Sequence, residues 1–334
     1  MKKKIYNFLK KRVSRLVRMF GLELVDQYNF TFLSNNKYLT EGLDINGRSI
    51  SIPFGELKIE KKVNSILIIL RTCTSELLMD QKKDRVFGKE KKEYTFRTLN
   101  SLKKNINFLK KKLPNLFIEI LITDTNSSDE DINYMKRKLG SIECRSSLIK
   151  INVKKHKSRI SGSGSYSNAK ISNMANFHES INIAEKSNSD LVFFLEDDYI
   201  LRENCLVEMI KSYEKFKTLF KNEIILLPAD YPYLYEKNSL TEVFSGIENH
   251  WRKVDESLVT FMTSAKLIKK YINEFLQMTK EWEDPWEQTL YEIYKKNYCL
   301  SPIPSLAMHC ANINSRYGIP PSFNWMEEWE KNND

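Results

Sequence analysis

Residues 191–199 read LVFFLEDDY. The apolar run 191–195 predicts a short buried strand, and Glu196, Asp197 and Asp198 leave its carboxyl end. Consecutive like charges at the end of a buried strand are costly unless a cation or a donor-rich ligand neutralises them. In open α/β sheets, ligands bind just outside the carboxyl ends of the strands. Carboxylate oxygens on a short turn suit Mg²⁺ or Mn²⁺, and such an ion bridges phosphate oxygens. The pattern predicts a metal–diphosphate site. A competing reading has Asp198 capping a helix that starts near Arg202.

Two more strand ends carry polar residues. Apolar runs at 65–70 and 117–122 predict strands that end in Arg71-Thr72 and Asp124-Thr125-Asn126. Asp124 has the chemistry to accept from a base N–H or a ribose hydroxyl, and Thr72 to frame the base. Taken singly, each reads equally well as a loop polar residue. Further along, Trp282-Glu283-Asp284-Pro285-Trp286-Glu287 combines an acidic pair with two indoles whose faces suit sugar rings. Asp284 before Pro285, with Glu287 three residues on, also fits a helix cap. Aromatic stretches around Tyr231 and Trp251 suit acceptor stacking or a surface hairpin with buried rings. Arg252, Lys253, Lys155 and Arg159 are candidate diphosphate partners. His309 follows a short apolar run, and a neutral imidazole there suits Mn²⁺ or is structural.

The elements that must position these residues alternate. Strands are expected at 65–70, 117–122, 148–153, 191–195, 224–227, 258–262 and 306–309. Helices are expected at 94–112, 128–139, 173–186, 203–220, 265–278 and 285–296. Such alternation predicts a three-layer α/β domain with a mostly parallel sheet. The Gly/Ser-rich stretch before residue 168 and the polar stretch 76–92 read as loops.

The run SNMANFHESINIAEKSNSDLVFFLEDDY resembles the central signature of nucleotide-sugar glycosyltransferases of the GT-A type. There, an Asn on a helix, an Ala two turns later and a D-x-D-like motif at a strand end recur. Asn176, Ala184 and Glu196-Asp197-Asp198 match that pattern. The EDD form is similar to N-acetylglucosaminyltransferases acting on N-glycans, and the layout over residues 62–312 resembles the family-two bacterial transferases. The resemblance implies a GT-A-like α/β/α sandwich and a nucleotide-diphosphate donor, UDP-linked in the first instance. It implies Asp198 as a metal ligand, with Glu196 and Asp197 on the ribose or uridine side. Arg71, Thr72, Asp124 and Asn176 would complete the donor site, and His309 would be a further metal ligand. Because family-two motifs more often read D-x-D or D-D, which of the three carboxylates touches metal stays open. An inverting member places its base in an acidic pair at a helix start, which implies Asp284, with Glu283 beside it. Trp282, Trp286, Tyr231 and Trp251 would face the acceptor, a glycan or a lipid-linked sugar.

The chain has 334 residues, 41% of them apolar and 29% charged, as in ordinary globular proteins. Its five cysteines are odd in number and include no C-x-x-C pair, which fits reduced thiols in a cytosol. No apolar run is long enough to span a bilayer, and no secretory cleavage pattern is expected. The net charge of +10 concentrates in residues 1–20, where eight Lys and Arg accompany Ile5, Leu9, Val13, Leu16 and Phe20 at helical spacing. Such a helix suits an anionic membrane surface, or packs on its own domain with a solvated basic face. The expected segments are a basic helix over 1–25, a β-rich stretch over 26–61 with a hairpin turn at Asp44-Ile45-Asn46-Gly47, and the main domain over 62–330.

With the resemblance, these observations lead to the expectation of a metal-dependent glycosyltransferase, peripheral on the cytoplasmic face of a membrane and inverting if Asp284 is the base. A retaining enzyme of the same fold is the alternative. A non-catalytic basic protein binding membranes or nucleic acid is the other, but no nucleic-acid signature is present, and unmetallated carboxylates would repel phosphate.

Overall fold

The computed structural model describes residues 2–22, 44–45, 48–49, 59–75, 85–236, 240–282 and 285–333. The chain divides into two compact units, Met1–Lys58 and Ile59–Asp334. In the first unit, α1 (Lys2–Met19) forms over the basic amphipathic segment. Its Phe8, Leu9, Val13 and Leu16 are exposed, as is Phe20 just beyond. Two short strands, β1 (Asp44–Ile45) and β2 (Arg48–Ser49), pair antiparallel where the hairpin is expected. The rest of the stretch 26–61 expected to be β-rich, apart from residues 59–61, lies outside the described residues.

The second unit is built on a sheet that has nine strands among the described residues. Three mostly apolar segments and one polar edge strand form its parallel half: β3 (Ser65–Thr72), β4 (Phe117–Asp124), the edge strand β5 (Arg145–Lys150) and β6 (Leu191–Glu196), in the order β5-β4-β3-β6. Residues 66–72 of β3 are all buried, as a strand covered on both faces by helices requires. The helix α2 (Lys91–Lys112) connects β3 to β4, and α3 (Asp129–Gly140) connects β4 to β5. After the short helix α4 (Lys154–Lys157), α5 (Asn168–Lys186) packs against β3 and β4 and returns the chain to β6 on the other side of β3. The sheet therefore reverses its winding between β3 and β6.

Beyond β6 the sheet is mixed. After β7 (Tyr199–Leu201) and α6 (Cys205–Phe220) come β8 (Ile225–Leu226), β9 (Val243–Ser245), β10 (His250–Lys253), β11 (Phe261–Ser264) and β12 (Cys299–Ile303). They extend the order as β6-β11-β8-β12-β10-β9, with β11 and β10 antiparallel to their neighbours. The remaining helices are α7 (Ala265–Lys270), α8 (Ile272–Gln277) and α9 (Gln288–Tyr294). Finally β13 (Ala307–His309) pairs with β7 outside the main sheet, and α10 (Trp325–Lys331) follows.

Several boundaries differ from the expected ones. The helix over 265–278 breaks at Tyr271 into α7 and α8. The third strand lies at Arg145–Lys150 rather than 148–153. The helix expected from 173 begins at Asn168, because Ser167 Oγ accepts from Lys170 N at 3.3 Å and caps it. Strands β7, β9, β10 and β12 were not expected. They are short and not strongly periodic, and pairing with neighbours holds them.

Candidate functional site

The acidic turn sits where the winding reverses. In the sheet register Arg71 lies beside Glu196, and Thr72 beside Asp124. The carboxyl ends of β4, β3 and β6 thus form one row. Asp198 lies between β6 and β7, and Asn204 occupies the cap position of α6, so Asp198 does not cap that helix.

Each acidic side chain of the turn meets its own cation. Glu196 Oε1 accepts from Arg71 Nη2 at 2.8 Å, and Arg71 Nη1 donates to Asn173 Oδ1 at 3.1 Å. The Arg71 guanidinium also lies over the Phe177 ring, 4.7 Å from its centroid. Burial raises the Glu196 pKa, Arg71 draws it back, and Asp198 pushes it up again. Asp197 forms an ion pair with Lys91 and accepts from Thr95 Oγ1 at 2.9 Å and from the Cys73 backbone N–H at 3.1 Å. Asp198 Oδ2 lies 2.9 Å from Arg85 Nη1 and 3.4 Å from His309 Nε2. Among the described residues, Asp198 Oδ1 is buried without a hydrogen-bond partner.

The β7–β13 ladder delivers His309 to this carboxylate by pairing it with Tyr199. The imidazole stacks on the Tyr199 ring with centroids 4.6 Å apart. His309 Nδ1 is 2.6 Å from the Tyr317 carbonyl, which can only accept, so Nδ1 carries a proton and Nε2 faces Asp198. Burial opposes ionisation of both groups. The His309 and Arg85 charges nonetheless hold Asp198 well below the usual carboxylate range, and Asp198 raises His309. A carboxylate with an unpartnered oxygen and an imidazole whose distal nitrogen is already committed form a donor set that fits Mn²⁺ or Mg²⁺. Asp198 and His309 are the residues that would hold such an ion.

Asp124 accepts from Thr72 Oγ1 at 2.7 Å, from Ser127 Oγ, and from the Ser127 backbone N–H at 3.2 Å. Burial raises its pKa against those hydrogen bonds. Asn176 is buried beneath the row. Its Nδ2 donates to the Thr123 carbonyl at 2.7 Å and the Thr72 carbonyl at 3.4 Å, and its Oδ1 accepts from Thr123 Oγ1 at 2.7 Å. Asn176 therefore clamps the ends of β3 and β4 rather than reaching a ligand directly.

The expected acceptor aromatics separate. Trp282 is half-buried and stacks on Trp286 with centroids 5.1 Å apart, and Lys170 Nζ lies 4.6 Å from the Trp282 ring centroid. Trp286 is buried against Phe177, and its indole donates to the Met278 carbonyl at 2.6 Å. Tyr231 is fully buried, with its hydroxyl 2.8 Å from that of Tyr199. Trp251 is also fully buried and donates to Glu208 Oε1 at 3.1 Å. The expectation that Trp286, Tyr231 and Trp251 face an acceptor is thus corrected. Their polar tips have partners inside the protein, because β10 is interior to the sheet and segment 231–235 packs under Tyr317.

Glu283 and Asp284 lie outside the described residues. The helix that follows starts at Gln288 with Glu287 at its cap position, three residues later than the capping reading of Asp284 requires. Arg252 pairs with Asp230 at 3.2 Å, and Arg159 donates to the Thr279 carbonyl at 2.5 Å, so each is committed to a partner within the protein.

Arg85, Lys91 and Thr95 are the site residues that sequence reasoning missed. They lie in or next to a polar stretch read as a loop, and the available signal was an excess of acid at Glu196-Asp197-Asp198 that demands nearby base. A second cluster, His156, His178 and Glu179, gathers its potential ligand atoms within 4.8 Å of one another on α4 and α5. Both histidines are pushed down by burial, His178 to about 4.

No family model and no curated protein matches this chain. Solved structures similar to it include S. aureus TarS 1-349, at 16% identity over 62% of this chain and 49% of that one, TM-score 0.34. GalNAc-T7 with UDP, GalNAc and Mn²⁺ is similar at 10% identity over 79% of this chain and 46% of that one, TM-score 0.41. The inositol-1-phosphate CTP transferase of T. maritima is similar at 13% identity over 81% of this chain and 97% of that one, TM-score 0.40. The chain thus spans about half the length of the first two. No helix among the described residues is long and apolar enough to cross a membrane.

Proposed function

We propose that the protein is a glycosyltransferase that moves a sugar from a nucleoside-diphosphate donor, UDP-linked in the first instance, to a glycan or lipid-linked acceptor. One observation carries this reading. The Glu196-Asp197-Asp198 turn lies where the sheet reverses its winding, with Arg71-Thr72 and Asp124 on the adjoining strand ends and His309 across from Asp198. Ligands of open α/β sheets bind at such a switch point.

In this reading Thr72 and Asp124 face the nucleoside. Glu196 and Asp197, already anchored to Arg71 and Lys91, shape the ribose side. Asp198 and His309 hold Mn²⁺ or Mg²⁺, which when bound supplies Lewis-acid stabilisation of the leaving diphosphate. The Trp282 ring, with Lys170 beside it, offers a face to the acceptor sugar. Asp284 takes the proton from the acceptor hydroxyl as that oxygen attacks the anomeric carbon, with Glu283 next to it, and the configuration inverts. The exposed apolar stripe and dense positive charge of α1 hold the enzyme on an anionic membrane surface, at the cytoplasmic face where lipid-linked and capsule-type glycans are assembled.

The test is a thermal-shift screen of nucleotides and nucleotide-sugars with and without Mn²⁺, followed by NMR of the product. Stabilisation by UDP or a UDP-sugar that depends on the metal, with metal-dependent UDP release, supports the reading. Stabilisation by nucleoside triphosphates alone, with pyrophosphate release, would replace it with nucleotidyl transfer. An axial-to-axial product would keep the enzyme and remove the base from Asp284.

A further inference from the structure

We infer that Arg85 is a built-in cation of the acidic turn: it pairs with Asp198 until a divalent ion arrives, gives up that carboxylate to the ion, and then turns to the donor's diphosphate. This deepens the nucleotide-sugar reading above and rests on it.

The three cations of the turn are not equivalent. Arg71 is fastened to Glu196, Asn173 and the face of Phe177. Lys91 serves Asp197, which is also fixed by Thr95 and the Cys73 N–H. Among the described residues, Arg85, which also donates to the Cys310 carbonyl at 3.4 Å and lies over the Tyr94 ring, is the cation whose carboxylate keeps one oxygen unpartnered and faces a histidine nitrogen with the other. Those are the donor atoms that suit a divalent ion. An ion held there would lie beside a guanidinium, and two cations on one carboxylate repel. The mobile one of the two is the side chain.

The backbone that follows Arg85 is tied down by hydrogen bonds, and rotation of the Arg85 side chain is the motion the exchange requires. Val86 N–H donates to the Ala311 carbonyl at 3.2 Å, and the Val86 carbonyl accepts from Tyr94 Oη at 2.5 Å. Lys89 N–H donates to the same hydroxyl at 3.2 Å. Phe87 and Gly88 turn the chain with left-handed φ of 76° and 58°, and the Phe87 ring stacks on Trp329 at 3.9 Å. The α10 segment and Tyr94 thus build a rigid base for one long basic side chain at the mouth of the acidic turn. Arginine suits the second role because its planar fork matches two phosphate oxygens, and its charge persists at every working pH. Without a phosphate, Arg85 stabilises Asp198. With metal and diphosphate both present, each charge finds a new partner, so metal and donor bind cooperatively.

The test is calorimetric Mn²⁺ binding to wild type and Arg85→Gln, each also titrated with UDP at saturating Mn²⁺. Arg85→Gln is expected to bind Mn²⁺ alone about ten- to hundredfold more tightly, since a charge-assisted bond no longer competes. UDP at saturating Mn²⁺ should bind the variant about tenfold more weakly. Mn²⁺ affinity that is unchanged or reduced overturns the inference, as does UDP affinity equal to wild type. Should Arg85→Gln fail to melt cooperatively, Arg85→Lys decides. Its shorter point charge cannot close the 2.9 Å contact, so Mn²⁺ should bind at least about threefold more tightly, and an unchanged affinity overturns the inference. A wild type that binds neither Mn²⁺ nor UDP overturns the nucleotide-sugar reading itself. A wild type that binds both, with Arg85→Gln indistinguishable from it, overturns this inference alone.

Discussion

Asp198→Asn separates a metal-bridged diphosphate from a merely structural acidic turn. The substitution keeps the size of the side chain and removes the charge that faces Arg85 at 2.9 Å and His309 at 3.4 Å. Losing a charge-assisted partner in a buried site costs roughly 1.5–3 kcal/mol. For a unit of roughly 280 residues the melting entropy is about 0.6 kcal/mol per degree, so the ligand-free variant should melt about 3–5 °C lower. In wild type, UDP with Mn²⁺ at about a hundred times its dissociation constant adds about 2.7 kcal/mol, or about 4–5 °C. That increment is expected to vanish on chelation of the metal and to be absent from Asp198→Asn even after its lower baseline is allowed for. The assay is a melting curve for each protein with UDP, with and without Mn²⁺. An Asp198→Asn protein that keeps the full metal-dependent increment would refute the assignment of Asp198 to the ion. A wild-type increment that survives chelation would refute the bridge.

Other outcomes follow from the same geometry. Asp284→Asn should leave stability and UDP affinity intact while lowering turnover ~10²–10⁴-fold, and near-normal turnover would remove Asp284 from the base role. Deleting residues 1–20 should release the protein from anionic vesicles without loss of activity on soluble acceptors, and undiminished sedimentation with vesicles would end the anchoring proposal. His178 is held neutral in the fold, chiefly by burial and then by Arg159, at about 4 against an ordinary 6.5. The unfolded chain takes up that proton as the pH falls below 6.5 and the folded protein does not, so stability is lost between about pH 6.5 and 4. Because the ring is only half-buried, the loss from pH 7 to pH 5 should be roughly 1 kcal/mol. His178→Gln should narrow the gap between urea midpoints at those two pH values, and an unchanged gap would count against the linkage.

Local sequence was enough to define three of the four strands of the parallel half, β3, β4 and β6, and the acidic turn, whereas the polar edge strand β5 lies three residues earlier than its apolar residues suggest. The runs that became β3, β4 and β6 are short, apolar and bounded by polar residues, so burial on both sides was written into their composition. The polar residues at their carboxyl ends followed directly, since parallel strands point their ends the same way. The basic amphipathic pattern of α1 was equally local. What composition could not supply was the partner of each charge. Arg71 and Lys91 lie 125 and 106 residues from the carboxylates they meet. Arg85 arrives through a turn braced by α10 from the far end of the chain. His309 reaches Asp198 only because β13 pairs with β7, two strands of three residues each whose pairing no periodicity announces.

The same limit explains the aromatic residues. A Trp or Tyr in a polar stretch reads as a binding face until packing is known. Trp251 became core because β10 is flanked by β12 and β9, and because the buried Glu208 carboxylate accepts its indole N–H. Trp282 kept a partly exposed face because Trp286 took the buried position beneath it. Side-chain type and spacing determine which chemistry a segment is able to do. Which face of that segment meets solvent, and which distant charge meets it, is decided by the assembly of elements, because burial and ion pairing are properties of contacts between segments rather than of any one of them.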